Sequence, residues 1–245
     1  MLTIGQPDLP EGMIGVQTPH GNPVTLHYRE KTSDLATIGA TFWLWNNLVD
    51  EYRIPEALSG WALDLGAHIG SVTVALLVDN PDLRVVAIEA VPDNVEMLQM
   101  NLEQNGLTDR CTILAGAAWK GKGPIEVEYG YTGSEVAETH AFIGSVTPWL
   151  GAPGGKQTAK VPRYSLADAI EATGGEGFVW AKSDCEGCEH HFFKGPLLRK
   201  IAHISGEWHY RDGAPETLAE QLSKTHEVTW SEGIGGGPFE AVRRG

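Results

Sequence analysis

The sequence predicts an α/β fold: a Rossmann-like, doubly wound, mostly parallel sheet with an antiparallel C-terminal strand pair and an N-terminal extension. Three observations predict it. From Trp61 onward, short Val/Ile/Leu-rich runs alternate with segments of helical periodicity, the pattern of βαβ units. A turn bearing Gly66 and Gly70 joins the first apolar run to the helix after it. Two strand-like runs, Glu227–Trp230 and Phe239–Arg243, face each other across Gly235-Gly236-Gly237 near the C-terminus.

Each element follows from local chemistry. Residues 1–60 form the N-terminal extension, in which Pro7, Pro10, Gly12 and Gly21-Asn22-Pro23 punctuate strand-like pieces such as Val24–Tyr28. A helix starts at Ser33-Asp34 and runs to Tyr52, with Leu35, Ile38, Phe42, Trp45, Leu48 and Val49 at helical spacing. Residues 61–245 form the main domain. Its strands are expected at Ala62–Leu65, Leu83–Glu89, Cys111–Leu114, Phe178–Ser183 and Ala202–Trp208. Helices are expected at Ser71–Val78, Pro92–Asn105, Ser165–Ala172, near Cys188–Leu198, and at Pro215–Ser223. Pro92 suits a first helical turn and Gly106 a C-terminal stop. Residues 120–160 interrupt the rhythm with Gly, Thr, Ser and Pro around one strand-like piece, Pro124–Tyr129, and are expected to form an inserted lid or binding loop. His140 within it is read as a solvated residue.

Charge narrows the partners. Lys and Arg total 18 against 32 Asp and Glu, a formal net charge of −14. No basic stripe exists to meet phosphates, so nucleic acid and anionic membrane surfaces are excluded as main partners, and a neutral or cationic small molecule suits the field better. The oligomeric state is left open. Residues 1–20 show neither a basic start nor an apolar run, and no stretch approaches the roughly 20 apolar residues of a membrane span. The three Cys are sparse and odd in number. Together these features lead us to expect a soluble, cytoplasmic protein.

Two constellations carry the chemistry. The first is Asp64-Leu65-Gly66-Ala67-His68-Ile69-Gly70, followed by Ser71 at the helix start and by Glu89-Ala90 closing the second strand. Glycines permit a sharp turn, free helix N–H groups face an anion, and a strand-end carboxylate accepts from ribose hydroxyls. Glu89 follows Gly70 by 19 residues, close to the roughly 20 expected of a ribose acid. The turn lacks the middle glycine of G-x-G-x-x-G, which admits a pyrophosphate, and Asp64 favours a cationic cofactor. The second constellation is Lys182-Ser183-Asp184-Cys185-Glu186-Gly187-Cys188-Glu189, with Gly206-Glu207-Trp208-His209 ending the next strand. Ligands of open parallel sheets bind beyond the strand C-termini, so Asp184, Glu207 and His209 are expected to converge there.

These residues together resemble the FkbM family of methyltransferases. The family's D-V-G-A-N-x-G, E-P and K-x-D-x-E-G-x-E motifs match Asp64–Gly70, the Glu89–Pro92 segment, and Lys182, Asp184, Glu186, Gly187 and Glu189. Lys194-Gly195 resembles its L-K-G, and Thr32-Ser33-Asp34 a T-S-D piece of some members. The likeness covers roughly residues 30–210. Departures are His68 for Asn, Ala90 for Pro, and Cys185 and Cys188 for small apolar residues. The resemblance implies a seven-stranded Rossmann-like fold, S-adenosylmethionine as methyl donor, and O-methylation of a small-molecule or sugar hydroxyl.

On that footing the cofactor contacts are expected from Asp64, Gly66, His68, Gly70, Ser71, Glu89, Ala90, Ala117, Trp119 and Asp184. Asp64 and Asp184 take the ammonium end and Glu89 the ribose. Catalysis is expected from His209 as general base, backed by His190 or His191, with Asp184 and Glu207. Alternatively, Asp184 and Glu207 hold a divalent cation such as Mg2+ that lowers the hydroxyl pKa. A zinc reading of Cys185-x-x-Cys188 is set aside for want of four ligands, leaving small buried side chains. Two other classes stay open: a nicotinamide-dependent oxidoreductase, and a non-catalytic cofactor-binding or partner-binding module. Melting shifts with S-adenosylhomocysteine against NAD separate all three.

Overall fold

The computed structural model describes residues 12–44, 53–129, 131–132, 137–138, 142–143, 157–209, 215–231 and 236–245. Its strands, in chain order, are β1 (Met13–Gln17), β2 (Pro23–His27), β3 (Gly60–Leu65), β4 (Leu83–Glu89), β5 (Cys111–Ala115), β6 (Ala117–Ala118), β7 (Ile125–Tyr129), β8 (Tyr131–Thr132), β9 (Ala137–Glu138), β10 (Phe142–Ile143), β11 (Gln157–Val161), β12 (Arg163–Tyr164), β13 (Trp180–Ser183), β14 (His203–His209), β15 (His226–Trp230) and β16 (Gly236–Arg243). Its α-helices are α1 (Asp34–Gly39), α2 (Ser71–Asp79), α3 (Pro92–Gln104), α4 (Leu166–Ala172), α5 (Glu189–Phe192) and α6 (Pro215–Leu222).

The central sheet has seven strands in the order β15-β16-β14-β13-β3-β4-β5. β16 alone runs against its neighbours, antiparallel to both β14 and β15. The other central pairs are parallel. Parallel strands need crossovers that cover both faces, so the middles of these strands are buried on both sides. Side chains alternate accordingly. Ala62, Val85, Ala87 and Trp180 join one core with α2, α3, Val24 and Leu26. Leu63, Leu65, Val86, Ile88, Ala181, Ile204 and Trp208 join the other, with residues of α4, α5 and α6.

Register decides where the site forms. Ser183 lies opposite Leu65 on one side and Gly206 on the other. Asp184 and Glu207 therefore leave the same edge on adjacent strands. Gly206 is required there, because a Cβ on it would stand 2.0 Å from the Ser183 carbonyl oxygen.

The N-terminal hairpin β1–β2 is fastened to α3 by side-chain amides. Asn101 Oδ1 accepts from the His27 amide at 2.6 Å, and Asn105 bonds both the amide and the carbonyl of Thr25. The helix expected from Ser33 to Tyr52 is α-helical only to Gly39 and continues as a π-helical segment at Ala40–Leu44. Residues 45–52 lie outside the described residues.

The helix expected near Cys188–Leu198 is broken in two. α5 lasts one turn, and a 3-10 segment resumes at Pro196–Lys200. Gly195 sits between them at φ +83°, and Pro196 has no amide hydrogen to continue an α-helix. The segment expected as a lid contains paired strands. β7 pairs antiparallel with β10 and β11, and β8 with β9. Most of residues 130–156, including His140, lies outside the described residues. Among the described residues no helix is long and apolar enough to cross a membrane.

Candidate functional site

The cradle is the turn between β3 and α2. Gly66, His68 and Gly70 have φ of +76°, +53° and +87°. His and Asn tolerate the left-handed region better than most residues, which accounts for His68 standing where the resembled family has Asn. The glycines serve the protein's own packing. A Cβ on Gly66 would lie 1.8 Å from the Asp184 carbonyl oxygen, and one on Gly70 would lie 2.4 Å from Leu98 Cδ1. The turn is thereby pressed against the start of the second constellation.

Glu89 closes the cradle. It is 6% exposed. One oxygen accepts from the His68 amide at 2.7 Å; the other accepts from the Val91 amide at 2.8 Å and from Asn94 Nδ2 at 3.3 Å. Burial raises its pKa, opposed by those hydrogen bonds and by the Lys182 charge. Ser71 opens α2, and among the described residues its buried Oγ has no hydrogen-bond partner. An orphaned hydroxyl beside free helix amides suits a ligand carboxylate.

Asp64 lies beneath the turn, fully buried, where Oδ2 accepts from Thr73 at 2.6 Å and Oδ1 faces Lys182 Nζ at 3.5 Å. Lys182 also donates to the Gly66 carbonyl at 2.6 Å and lies 3.8 Å from Asp184. Its ammonium thus joins the two constellations. Burial would lower its pKa, but the charges of Asp64, Asp184 and Glu89 outweigh it and hold the pKa up.

The second constellation closes round His209. Its Nδ1 lies 2.9 Å from Glu189 Oε1. Its Nε2 is 3.9 Å from Asp184, 3.8 Å from Glu186 and 4.0 Å from Glu207. Burial opposes the charge on this ring, yet Glu189 foremost, then Glu186 and Asp184, push its pKa up to about 10. These acids favour the protonated ring, which does not suit the general-base role expected of His209. Asp184, Glu207 and His209 each bring a ligand atom within 4.8 Å of the others.

The loop bearing these acids is closed by a Cys185–Cys188 disulfide with Cα atoms 5.5 Å apart. This corrects the reading of both as independent small side chains. The two Sγ atoms meet because Glu186 and Gly187 both take positive φ, +57° and +105°, and fold the chain back.

The remaining expected residues lie around this pair. Ala117 is buried with Val91, Val127 and Val161 in a satellite core, against which Ala90 packs. Trp119 packs on the main core and lies against His191, ring centroids 4.0 Å apart and planes tilted by 58°. His190 Nε2 meets the His209 carbonyl at 3.3 Å. Sequence reasoning assigned no role to Lys182, Glu186 or Glu189, although all three stand in the K-x-D-x-E-G-x-E motif that could have flagged them. Asn94, which donates to Glu89, carries no such signal.

A seven-stranded sheet with one reversed strand beside its edge, and a glycine turn after β3 next to its middle strand, make a Rossmann-like α/β fold. Several solved structures resemble it at low identity. A precorrin-6Y C5,15-methyltransferase from Geobacter metallireducens gives a TM-score of 0.46 at 12% identity, covering 88% of this chain and 92% of the other. A transferase-type protein of Pyrococcus horikoshii gives 0.48 at 12%, covering 96% and 74%. An O-methyltransferase from Bacillus cereus, in complex with S-adenosylhomocysteine, gives 0.43 at 15%, covering 75% and 74%. Residues 64–227 match the model of the methyltransferase FkbM domain. The chain belongs to the FkbM methyltransferase family, and S-adenosylmethionine is its methyl donor.

Proposed function

We propose that this methyltransferase methylates a hydroxyl of a small-molecule or sugar-like acceptor at the mouth formed by Asp184, Glu207 and His209. One observation carries the reading: these three side chains, from two adjacent strand ends, meet within 4.8 Å at the C-terminal edge of the sheet. Beyond it, the net charge of −14 disfavours a polyanionic acceptor.

When bound, S-adenosylmethionine supplies an already activated methyl carbon. The protein's part is to position, to exclude water and to remove one proton. Ser71 Oγ and the α2 amides take the cofactor's carboxylate, Glu89 its ribose hydroxyls and Asp184 its ammonium. Asp64, expected at the cofactor's ammonium, is instead fully buried against Thr73 and Lys182 and braces the turn from beneath. His209, charged and clamped by Glu189, hydrogen-bonds the acceptor oxygen, and Glu207, 34% exposed, takes its proton.

The clustered ligand atoms favour a second reading. Asp184, Glu207 and, once Nε2 has lost its proton, His209 would suit a divalent cation, which would lower the hydroxyl pKa. Glu189 on Nδ1 would then orient Nε2 toward it. Methyl transfer to hydroxyl, amine, thiol and RNA acceptors, with and without a chelator, tests both readings. Transfer to hydroxyls that survives the chelator supports the metal-free route, and transfer abolished by it supports the cation. Methylation of amines or RNA in preference to hydroxyls, or full turnover by both Glu207→Ala and His209→Ala, overturns the proposal.

A further inference from the structure

We propose that Arg29 and Asp34, in the N-terminal extension and outside the matched family segment, are positioning residues of the cofactor site that act on Glu89 through Asn94 and His68. The inference rests on the reading of Glu89 as the ribose acid.

Asp34 is fully buried. A buried carboxylate is costly unless paired and hydrogen-bonded. Arg29 meets that demand with its own amide at 2.9 Å, Nε at 2.9 Å and Nη2 at 2.8 Å. The bidentate fork leaves the guanidinium no rotational freedom. Its Nη2 also donates to Asn94 Oδ1 at 2.6 Å, across 65 residues of chain.

That contact fixes a choice the amide of Asn94 would otherwise have. A guanidinium only donates, so Asn94 must turn its oxygen to Arg29. Its Nδ2 is then turned to Glu89, which it meets at 3.3 Å. The opposite flip would set an amide oxygen against a carboxylate. On the other flank, the His68 ring lies 3.8 Å from Asp34 while the His68 amide donates to Glu89. The circuit Asp34–Arg29–Asn94–Glu89–His68–Asp34 closes on itself. It holds both Glu89 oxygens in one orientation from a segment that touches neither.

The test compares S-adenosylhomocysteine with its 2′-deoxyribose analogue by calorimetry. A misplaced acid loses its hydrogen bonds to the ribose but not the rest of the binding. Wild type should prefer the full ribose by about tenfold or more, and Glu89→Ala should lose that preference. Arg29→Met and Asp34→Asn should reduce it to about threefold or less, while leaving affinity for the deoxy analogue within about twofold. Arg29→Lys, which keeps the charge but not the fork, covers the case in which Asp34→Asn does not fold, and should behave like Arg29→Met. A preference lost in Glu89→Ala but intact in the Arg29 variants overturns this inference alone. A preference intact in Glu89→Ala overturns the ribose reading and this inference with it. Equal weakening toward both ligands makes the role merely structural and also overturns it.

Discussion

Gly66→Ala should be among the most damaging one-methyl changes in this protein. Its φ of +76° costs a non-glycine residue roughly 1–2 kcal/mol. The new Cβ would also stand 1.8 Å from the Asp184 carbonyl oxygen, 2.8 Å from its carbon and 3.2 Å from Cys185 Cα. All three are backbone atoms, so no rotamer change relieves the clash, and over-packing adds about 1–3 kcal/mol. The sum is about 2–5 kcal/mol, or roughly 4–20 °C in melting temperature for a chain of this size. Gly21→Ala is the control: its φ is +87°, but nothing lies within 4 Å of the added carbon. It should lose only the conformational part, about 1–2 kcal/mol. Differential scanning calorimetry of both variants, with S-adenosylhomocysteine titrations, measures the difference. A Gly66→Ala variant that melts no lower than Gly21→Ala would refute the close junction between the turn and the acid loop.

Lys182→Met should destabilise by about 3–5 kcal/mol in urea unfolding, because it leaves the fully buried Asp64 without its cation; a loss under 1 kcal/mol would contradict the bracing role. The proton on His209 gives a pH dependence of definite sign. Its pKa is raised from 6.5 to about 10, so its contribution is complete below pH ~6.5 and is lost as pH rises through ~10. Wild type should therefore lose more stability over that interval than His209→Gln, and parallel curves would count against the charged ring. Glu189→Gln keeps the shape but removes the largest charge holding that proton, and should bring the His209 titration, followed by NMR, down toward neutrality.

Much of the architecture was legible in the chain. Apolar period and turn chemistry are local, so β4 and β7 and the helix after Ser165 appear almost where their residues indicate. The juxtaposition of Asp184 and Glu207 was also legible, since adjacent parallel strands must release their C-terminal residues at one edge. A local signal can still be outweighed: the helix expected over Cys188–Leu198 breaks at Gly195-Pro196, residues that were visible in the sequence.

What the sequence by itself determined is the sheet, the cradle and the edge at which the acids gather, because each follows from periodicity and from the direction of parallel strands. What only the tertiary structure decided is the set of side-chain partners. Lys182 reaches Gly66 across 116 residues, Arg29 reaches Asn94 across 65, and Glu189 at the start of α5 meets His209 across 20. Such pairings leave no period in the chain. They arise because a charge taken out of water must find its counter-charge among whatever groups packing has brought within reach.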